Sequence, residues 1–254
     1  MIIFLIKLIA APLLLALATL AARRWGTGLG GILIGLPLIS GPISVFLAIE
    51  NGAGFAVETA RGALAGTVAL AVFTCVYAAV CPKGWLKASF LSVALYVLAS
   101  WIAAELPISA VTLAVSAAAA IILSLWIMPV PHGAAVKHRP PKHDLLMRMG
   151  MMMVLMIAIT FLAPYIGPTA SGIASTFPYM ALTMAVFSQI QGGPDNARRA
   201  MHGLMLGMYS GLVFNLVVWA LAAEDRLLIA YAAATAAALA AQGVVLALTL
   251  KKTA

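Results

Sequence analysis

Runs of roughly 20 apolar residues, separated by short polar or glycine-rich segments, recur from one end of the chain to the other. Each run is as long as a helix needs to be to cross the hydrocarbon core of a bilayer. The segments between the runs are too short to form a soluble domain. The pattern predicts an all-α polytopic membrane protein of about nine spans, near residues 2–22, 26–49, 56–80, 84–104, 108–130, 145–165, 168–191, 197–222 and 227–250.

The chain also contains an internal duplication, which becomes visible when it is shifted by 141 positions against itself. Between residues 14 and 76, seventeen of the 63 positions are identical to the residue 141 positions later. Roughly one in ten would match by chance in a chain of this composition. Five of the matches are glycine and one pairs Pro37 with Pro178. Glycine and proline have backbone roles that other residues replace poorly, so the duplicated centre is predicted to be a proline-broken membrane helix.

The two copies should enter the membrane from opposite sides. The first predicted span matches the sixth, so five spans separate equivalent points, and an odd number reverses the direction of the chain. This predicts an inverted-topology repeat, a plan that recurs in secondary transporters. We expect a first repeat of four helices over 1–107, a linking helix with a basic cytoplasmic loop over 108–144, and a second, inverted repeat of four helices over 145–254.

Composition and charge agree with a membrane location. The chain is 64% hydrophobic and 9% charged, whereas about a quarter of the residues in a soluble domain are charged. With the N-terminus outside, twelve of the fifteen Lys and Arg residues fall on the cytoplasmic side, in keeping with the positive-inside rule. The net charge of +8 therefore sets the orientation and indicates no nucleic-acid partner. We expect a multi-pass protein in a lipid bilayer, with its C-terminus in the cytoplasm.

The second and seventh predicted spans each carry a proline near the midpoint, Pro37 and Pro178. Proline suits the first turn of a helix, where its missing N–H costs nothing. Each span should therefore restart as a half-helix whose free N–H groups lie near the midplane and suit an anionic group. The alternative is a pair of packed kinks, with the freed carbonyls satisfied by neighbouring helices.

The predicted substrate-binding site lies between these two breaks. It combines the glycines and prolines that shape the breaks with polar side chains at mid-depth: Gly35, Pro37, Ser40, Gly41, Ser44, Ser175, Thr176, Pro178, Tyr179 and Asn215. Asn215 is the repeat partner of Thr74. The serine hydroxyls have an alternative partner in the backbone of their own helices.

Polar residues near the two membrane surfaces are candidate gates. The outer set is Glu50, Glu58 and Arg61, and the inner set is Gln191, Asp195, Arg198, Arg199 and His202. Glu58 and Arg61 are one helical turn apart, which suits an ion pair. The alternative is that both sets are solvated helix ends.

Two pairs of small residues predict close helix packing. Gly62 and Gly66 lie four residues apart, as do their repeat partners Gly203 and Gly207. Glycines at this spacing let helix backbones approach closely. The alternative is that the helices carrying them slide past the broken ones.

The sequence contains no catalytic signature. It has no HExxH, no Gly-x-Ser-x-Gly, no phosphate-binding loop and no paired carboxylates within a span. The methionine-rich run from Met147 to Met156 suits packing beside lipid and other helices better than copper(I) binding. We therefore expect no enzyme activity, no cofactor and no metal site.

The segment GLPLISGPISVFLAIENG, residues 35–52, resembles part of a group of bacterial inner-membrane proteins with no assigned activity. In that group a GLPL run, an SGP run and an FLA segment followed by Glu or Gln come after a first helix that ends in basic residues, here Arg23 and Arg24. The resemblance covers roughly the first 80 residues. It implies a bacterial source and an inner-membrane location, and it brings no catalytic residues.

Together these features predict a secondary transporter that moves a small solute, with an organic anion favoured, by alternating access about a midplane site. One alternative is a non-transporting membrane scaffold or accessory subunit. Another is an intramembrane enzyme, which would need converging acid, base or metal groups. Self-association into a homodimer is left open.

Overall fold

The structure of the 254-residue chain is a computed structural model. It describes residues 20, 32, 36–37, 40–131, 143–223 and 226–253. Almost all of the predicted first span, 2–22, and most of the first half of the second span lie outside the described residues. Gly35 lies outside them as well.

The described residues form helices and no strand, which confirms the prediction of an all-α protein. Seven α-helices and a short 3-10 turn at Cys81–Lys83 are present in this part of the chain. The helices are α1 Ser40–Asn51, α2 Ala53–Val80, α3 Trp85–Glu105, α4 Ala110–Ile127, α5 Asp144–Ser175, α6 Tyr179–Leu221 and α7 Leu227–Thr253.

Five helical segments of this part of the chain are long and apolar enough to cross a membrane. They are Ala53–Lys83, Trp85–Glu105, Ala110–Ile127, Pro164–Leu221 and Leu227–Thr249. Large apolar side chains face outward on several of them, among them Phe90 at 80% exposure, Trp126 at 82% and Leu228 at 85%. Such outward apolar faces are unusual for a soluble monomer and suit a lipid surround. The described part of the chain is therefore all-helical, and its long apolar helices indicate a membrane protein.

Local chemistry sets the ends of the outer helices. Gly84, with φ of 108°, turns the chain out of the 3-10 turn and into α3, a conformation that glycine adopts without strain. Ser109 caps α4, since its side chain accepts a hydrogen bond from the N–H of Thr112 at 3.1 Å.

Two glycines that lie 141 positions apart have the same backbone conformation. Gly52, between α1 and α2, has φ of 87° and ψ of 177°. Gly193, inside α6, has φ of 75° and ψ of −179°. The helical stretches that follow them also match, because Ala53–Val80 shifted by 141 positions is 194–221, the rest of α6. This conformation is almost restricted to glycine.

The helix boundaries differ from those predicted in the second half of the chain. The sequence pattern placed separate spans at 145–165, 168–191 and 197–222, whereas α5 continues to Ser175 and α6 runs from Tyr179 to Leu221. The reason is that the expected loops are reduced to single glycines, Gly167 with φ of 79° and Gly193, across which the helices run on with a kink. The described residues thus form seven helices, where about nine spans were predicted for the whole chain.

α2 and α6 form the centre of the fold. α2 packs against α1, α3, α4, α5 and α6, and α6 packs also against α4 and α7. Their shared core includes the fully buried Leu64, Phe73, Tyr77, Met201 and Met205. Interdigitated side chains of this kind hold helices together by dispersion, since lipid tails are as apolar as the core.

Glycines let α2 approach the end of α5 closely. A Cβ added to Gly62 would overlap the backbone of Thr169, and one added to Gly66 would overlap Thr176 Oγ1. From the other side, a Cβ on Gly172 would overlap the carbonyl oxygen of Thr59. The packing role predicted for Gly62 and Gly66 is therefore confirmed.

Candidate functional site

The predicted seventh span is interrupted in its middle. α5 ends at Ser175 and α6 begins at Tyr179, with non-helical backbone at Thr176 (φ −96°, ψ 2°) and Pro178 (φ −79°, ψ 36°). The turn is closed by bonds from Thr176 N to Ile173 O at 3.0 Å and from Phe177 N to Ala174 O at 3.2 Å. This part of the chain is broken rather than only kinked.

The first copy changes direction at the equivalent position. Leu36 and Pro37 lie in a bend, and α1 begins at Ser40. The N–H of Gly41 donates to Pro37 O at 2.9 Å, so the helical bonding pattern starts at Pro37. Proline at the start of a helix loses no hydrogen bond.

A cavity of about 80 Å³ lies between the two breaks. A single water needs roughly 10–15 Å³ by the same measure, so the cavity has room for several waters or for a small solute. It is lined by Leu36, Pro37, Ser40, Thr67, Leu70, Ser175, Thr176, Phe177, Pro178, Met180, Ala181, Leu204, Met208, Gly211 and Asn215.

Most of the lining residues occur in pairs that lie 141 positions apart. Ten of the fifteen form five such pairs: Leu36 with Phe177, Pro37 with Pro178, Ser40 with Ala181, Thr67 with Met208, and Leu70 with Gly211. The equivalents of Ser175, Thr176 and Met180 lie at 34, 35 and 39, outside the described residues. Both copies of the duplicated segment therefore contribute equivalent surfaces to one cavity.

The structure brings six of the ten predicted site residues to this cavity. They are Pro37, Ser40, Ser175, Thr176, Pro178 and Asn215. Gly35 lies outside the described residues.

The other three predicted site residues are not among those that line the cavity. Gly41 packs against Phe214, whose Cζ would lie 3.6 Å from an added Cβ. Ser44 is bonded to Tyr231 of α7, with 2.7 Å between the two hydroxyl oxygens. Tyr179 is buried at the start of α6, and its N–H donates to Phe177 O at 2.8 Å. Ser44 thus fastens α1 to α7, because its position on the helix turns it toward that neighbour.

Three of the four hydroxyl side chains that line the cavity donate to their own helices. Thr67 Oγ1 donates to Ala63 O at 2.8 Å, and Ser175 Oγ donates to Gly172 O at 2.7 Å. Thr176 Oγ1 lies 2.8 Å from Ile173 O, to which it donates. These bonds are the alternative expected from the sequence for such hydroxyls, and they leave the oxygens as acceptors.

Asn215 contributes an amide whose two ends are used differently. Its Nδ2 donates to Gly211 O at 2.8 Å. Its Oδ1 is buried and accepts no hydrogen bond from the described residues, and the residue is only 2% exposed. Gly211 O can only accept, so the NH₂ group is the end that faces it, and Oδ1 is left as the orphan.

The half-helix that starts at Tyr179 offers free backbone donors. The N–H groups of Met180 and Ala181, both lining residues, have no acceptor within the described part of the chain, as expected in the first turn of a helix. α1 offers fewer, because the N–H of Gly41 is bonded and Pro42 has none.

Side chains from outer helices hold the carbonyls that precede the breaks. Tyr96 OH in α3 donates to Ile173 O at 2.9 Å and lies 3.0 Å from Thr176 Oγ1. Gln242 Nε2 in α7 donates to Ile32 O at 3.1 Å. Ile32 and Ile173 lie 141 positions apart, so equivalent carbonyls of the two copies are each satisfied from the other half of the chain.

Apart from Asn215, sequence reasoning missed the lining residues on α2 and on the second part of α6. Leu204, Met208, Gly211 and Asn215 follow a spacing of four, three and four, which places them on one helix face. Thr67 and Leu70 occupy the positions equivalent to Met208 and Gly211. Because these residues share a helix face with the polar Asn215, that periodic spacing is the sequence feature that could have identified them.

At the predicted outer gate, Arg61 and Glu58 form an ion pair. Arg61 Nη1 lies 3.5 Å from Glu58 Oε2, and Arg61 Nη2 donates to Ile108 O at 3.2 Å. Glu50 is exposed near the end of α1. The partly exposed pair contributes little stability, but Arg61 links α2 to the residues that precede α4.

The predicted inner gate is more extensively bonded. Arg198 Nη1 lies 3.1 Å from Asp195 Oδ1, and Arg198 Nε donates to Ala78 O at 3.2 Å. A cation near the last carbonyls of α2 is favourable for the helix dipole. Gln191, Arg199 and His202 are half-buried on the same part of α6.

Two residues of this inner cluster had not been predicted. Gln189 Nε2 donates to Cys81 O at 2.6 Å, and Tyr77 OH donates to Gln189 Oε1 at 2.9 Å. Together with Arg198 they fasten the end of α2 to the kink of α6 around Gly193.

The chain matches no protein-family model, no curated protein and no solved structure.

Proposed function

We propose that the protein is a secondary transporter, which carries a small solute by alternating access about the cavity between the two breaks. The observation that carries this proposal is the composition of the cavity wall, in which ten of fifteen residues form pairs 141 positions apart. A site at the interface of two inverted repeats is where secondary transporters bind their substrates.

An inverted nine-span repeat accounts for the long helical segment Pro164–Leu221. Its 58 residues would span about 87 Å if straight, against a hydrocarbon core of about 30 Å. In the proposed arrangement the chain reverses at Gly167 and at Gly193, so that 168–192 forms the seventh span and 194–221 the eighth. The equivalent conformations of Gly52 and Gly193 support this arrangement.

The breaks support a transport role because backbone left unpaired cannot face lipid. Each unsatisfied N–H or C=O group in hydrocarbon costs roughly several kcal/mol of folding free energy. Here the breaks face each other across the cavity, and Tyr96 and Gln242 satisfy the carbonyls that precede them. A packed kink needs no cavity, whereas a binding site does.

In this proposal the two polar clusters limit access from either side. The outer cluster is the pair Glu58 and Arg61, and the inner cluster is Asp195 and Arg198 with Gln189. The inner cluster is the more extensively bonded of the two. Opening it requires Arg198 to leave Ala78 O and Gln189 to leave Cys81 O.

The test is solute flux in proteoliposomes that contain the purified full chain. The probes are radiolabelled L-alanine, L-lactate and glycerol, a zwitterion, an organic anion and an uncharged solute. We expect at least one probe to enter faster than it enters protein-free liposomes. Thr176→Leu, which fills the cavity wall, should abolish this flux.

Thr235→Leu is the matched control. Thr235 lies on an exposed face of α7, where leucine suits the lipid. This variant should keep the wild-type rate. Absence of flux for all three probes from a folded wild-type protein would favour the alternative role of a membrane scaffold or accessory subunit.

A further inference from the structure

The cavity wall contains a buried amide oxygen, Asn215 Oδ1, for which the described residues supply no donor. Asn215 is 2% exposed, its Nδ2 is held by Gly211 O, and its Oδ1 accepts no hydrogen bond. A buried polar atom without a partner is destabilising and is rare in native proteins. A ligand with an N–H or O–H group beside Asn215 would satisfy this oxygen.

A second part of the same wall supplies donors. Met180 and Ala181 lie in the first turn of α6, and their N–H groups have no acceptor within the described residues. The helix dipole adds partial positive charge at this end. The 14 helical residues that precede Gly193 make this a full half-helix. A carboxylate or carbonyl oxygen suits these donors.

The wall carries no charged side chain among the described residues. A solute with a net charge would lose its hydration in the cavity without gaining a counter-charge, which is costly in a low-dielectric site. If the group that binds the N–H groups at the start of α6 is a carboxylate, its charge must be balanced by a positive charge on the solute itself. Otherwise that group must be an uncharged carbonyl.

On these grounds, and resting on the proposed transport function, we infer that the substrate is a small, net-neutral solute that carries both an oxygen acceptor and an N–H donor. The acceptor binds the N–H groups of Met180 and Ala181, and the donor binds Asn215 Oδ1. Small amides and zwitterionic amino acids have this chemistry. A simple organic anion lacks the donor.

Four solutes with three carbons each test the inference. Propionamide and L-alanine are net neutral and carry both groups, propionate lacks the N–H donor, and protonated propylamine lacks the oxygen acceptor. Each is titrated into the purified full chain while the thermal unfolding temperature is measured, since binding to the folded state raises it. Propionamide and L-alanine should bind at least about tenfold more tightly than the other two.

The variant Asn215→Thr keeps a donor for Gly211 O and removes the amide oxygen Oδ1, leaving only a hydroxyl oxygen that is drawn back toward its own helix. It should weaken propionamide and L-alanine binding by about tenfold. The inference is overturned if propionate or propylamine binds as tightly as L-alanine, if none of the four binds, or if Asn215→Thr binds L-alanine like the wild type.

The two proposals can fail separately. Flux of L-lactate with no binding of the neutral pair would overturn the substrate class and leave transport standing. Binding of L-alanine that depends on Asn215, without L-alanine flux, would overturn transport and leave the ligand class standing.

Discussion

Thr74 and Asn215, which lie 141 positions apart, make the same hydrogen bond to the carbonyl four residues earlier. Thr74 Oγ1 donates to Leu70 O at 2.7 Å, and Asn215 Nδ2 donates to Gly211 O at 2.8 Å. Only Asn215 is among the residues that line the cavity, and only its amide has a second polar atom left over. The duplicated segments therefore share a local bond, and a single side-chain difference gives the cavity its free acceptor.

Asn215→Thr should leave the empty protein as stable as the wild type or more stable. Thr74 shows that a threonine at this position can bond the carbonyl four residues earlier, and the change removes a buried acceptor without a partner. The expected gain is up to about 1 kcal/mol, measured by thermal unfolding in detergent without added solute. A loss of more than about 1 kcal/mol would mean that Oδ1 is bonded in the folded protein.

Gly193→Ala should destabilise the protein through the backbone alone. No atom lies within 4 Å of an added Cβ, but φ is 75° and ψ is −179°. Side chains other than hydrogen are strained there, at a cost of order 1–3 kcal/mol. Gly150→Ala is the control, since Gly150 is helical and has equal space. Equal unfolding temperatures for the two variants would contradict the left-handed turn.

Gly62→Ala tests the close approach of α2 to α5. The added methyl group would overlap the Thr169 backbone, and overpacking of this kind typically costs about 1–3 kcal/mol. Gly54→Ala, in the first turn of the same helix, has open space and should be neutral or stabilising. The comparison uses thermal unfolding of both variants. A Gly62 variant as stable as the Gly54 variant would show that the helices lie further apart.

Arg198→Gln should change the rate of transport more than the apparent affinity. The side chain bonds Ala78 O near the end of α2 and Asp195 on α6, away from the residues that line the cavity. Flux is measured over a range of concentrations of whichever of the three solutes the wild type carries. Lys87→Gln, on the exposed start of α3, is the control. If the affinity falls and the maximal rate does not, Arg198 belongs to the binding site.

The proposed orientation places Lys83 in the cytoplasm and Glu105 outside. These residues flank α3, Trp85–Glu105, which is a candidate span. Cysteine is introduced at each site in a protein whose Cys75 and Cys81 are replaced by serine. An impermeant thiol reagent added to intact cells should label the Glu105→Cys variant and leave the Lys83→Cys variant unlabelled. Labelling of both from outside would refute the arrangement.

Several features of the fold could be read from the sequence because they depend on local chemistry. The apolar run predicted at 56–80 is helix Ala53–Val80, and the run at 84–104 is Trp85–Glu105. An apolar span of this length forms a helix whatever packs around it. In lipid a single segment can satisfy its backbone hydrogen bonds only as a helix. Pro178 likewise marked the interruption of its span, since proline removes a helix hydrogen bond and disfavours helical backbone at the residue before it.

Other features depended on packing that no local pattern records. Ser40 and Ser44 lie one turn apart on α1, yet only Ser40 is among the lining residues, because Tyr231 of α7 bonds Ser44. Gly193 replaced a whole expected loop with one residue. Its left-handed conformation depends on the helices on both sides of it.

The sequence by itself determined the helical class, the apolar segments, the positions of the prolines and the 141-residue duplication, all of which are properties of neighbouring or matching residues. The tertiary structure alone decided which side chains share the cavity and which of their polar atoms remain unpaired. Asn215 shows why: its bond to Gly211 O is local, but the absence of a partner for Oδ1 depends on every helix packed around it. The rotation and depth of those helices are set by contacts between distant parts of the chain.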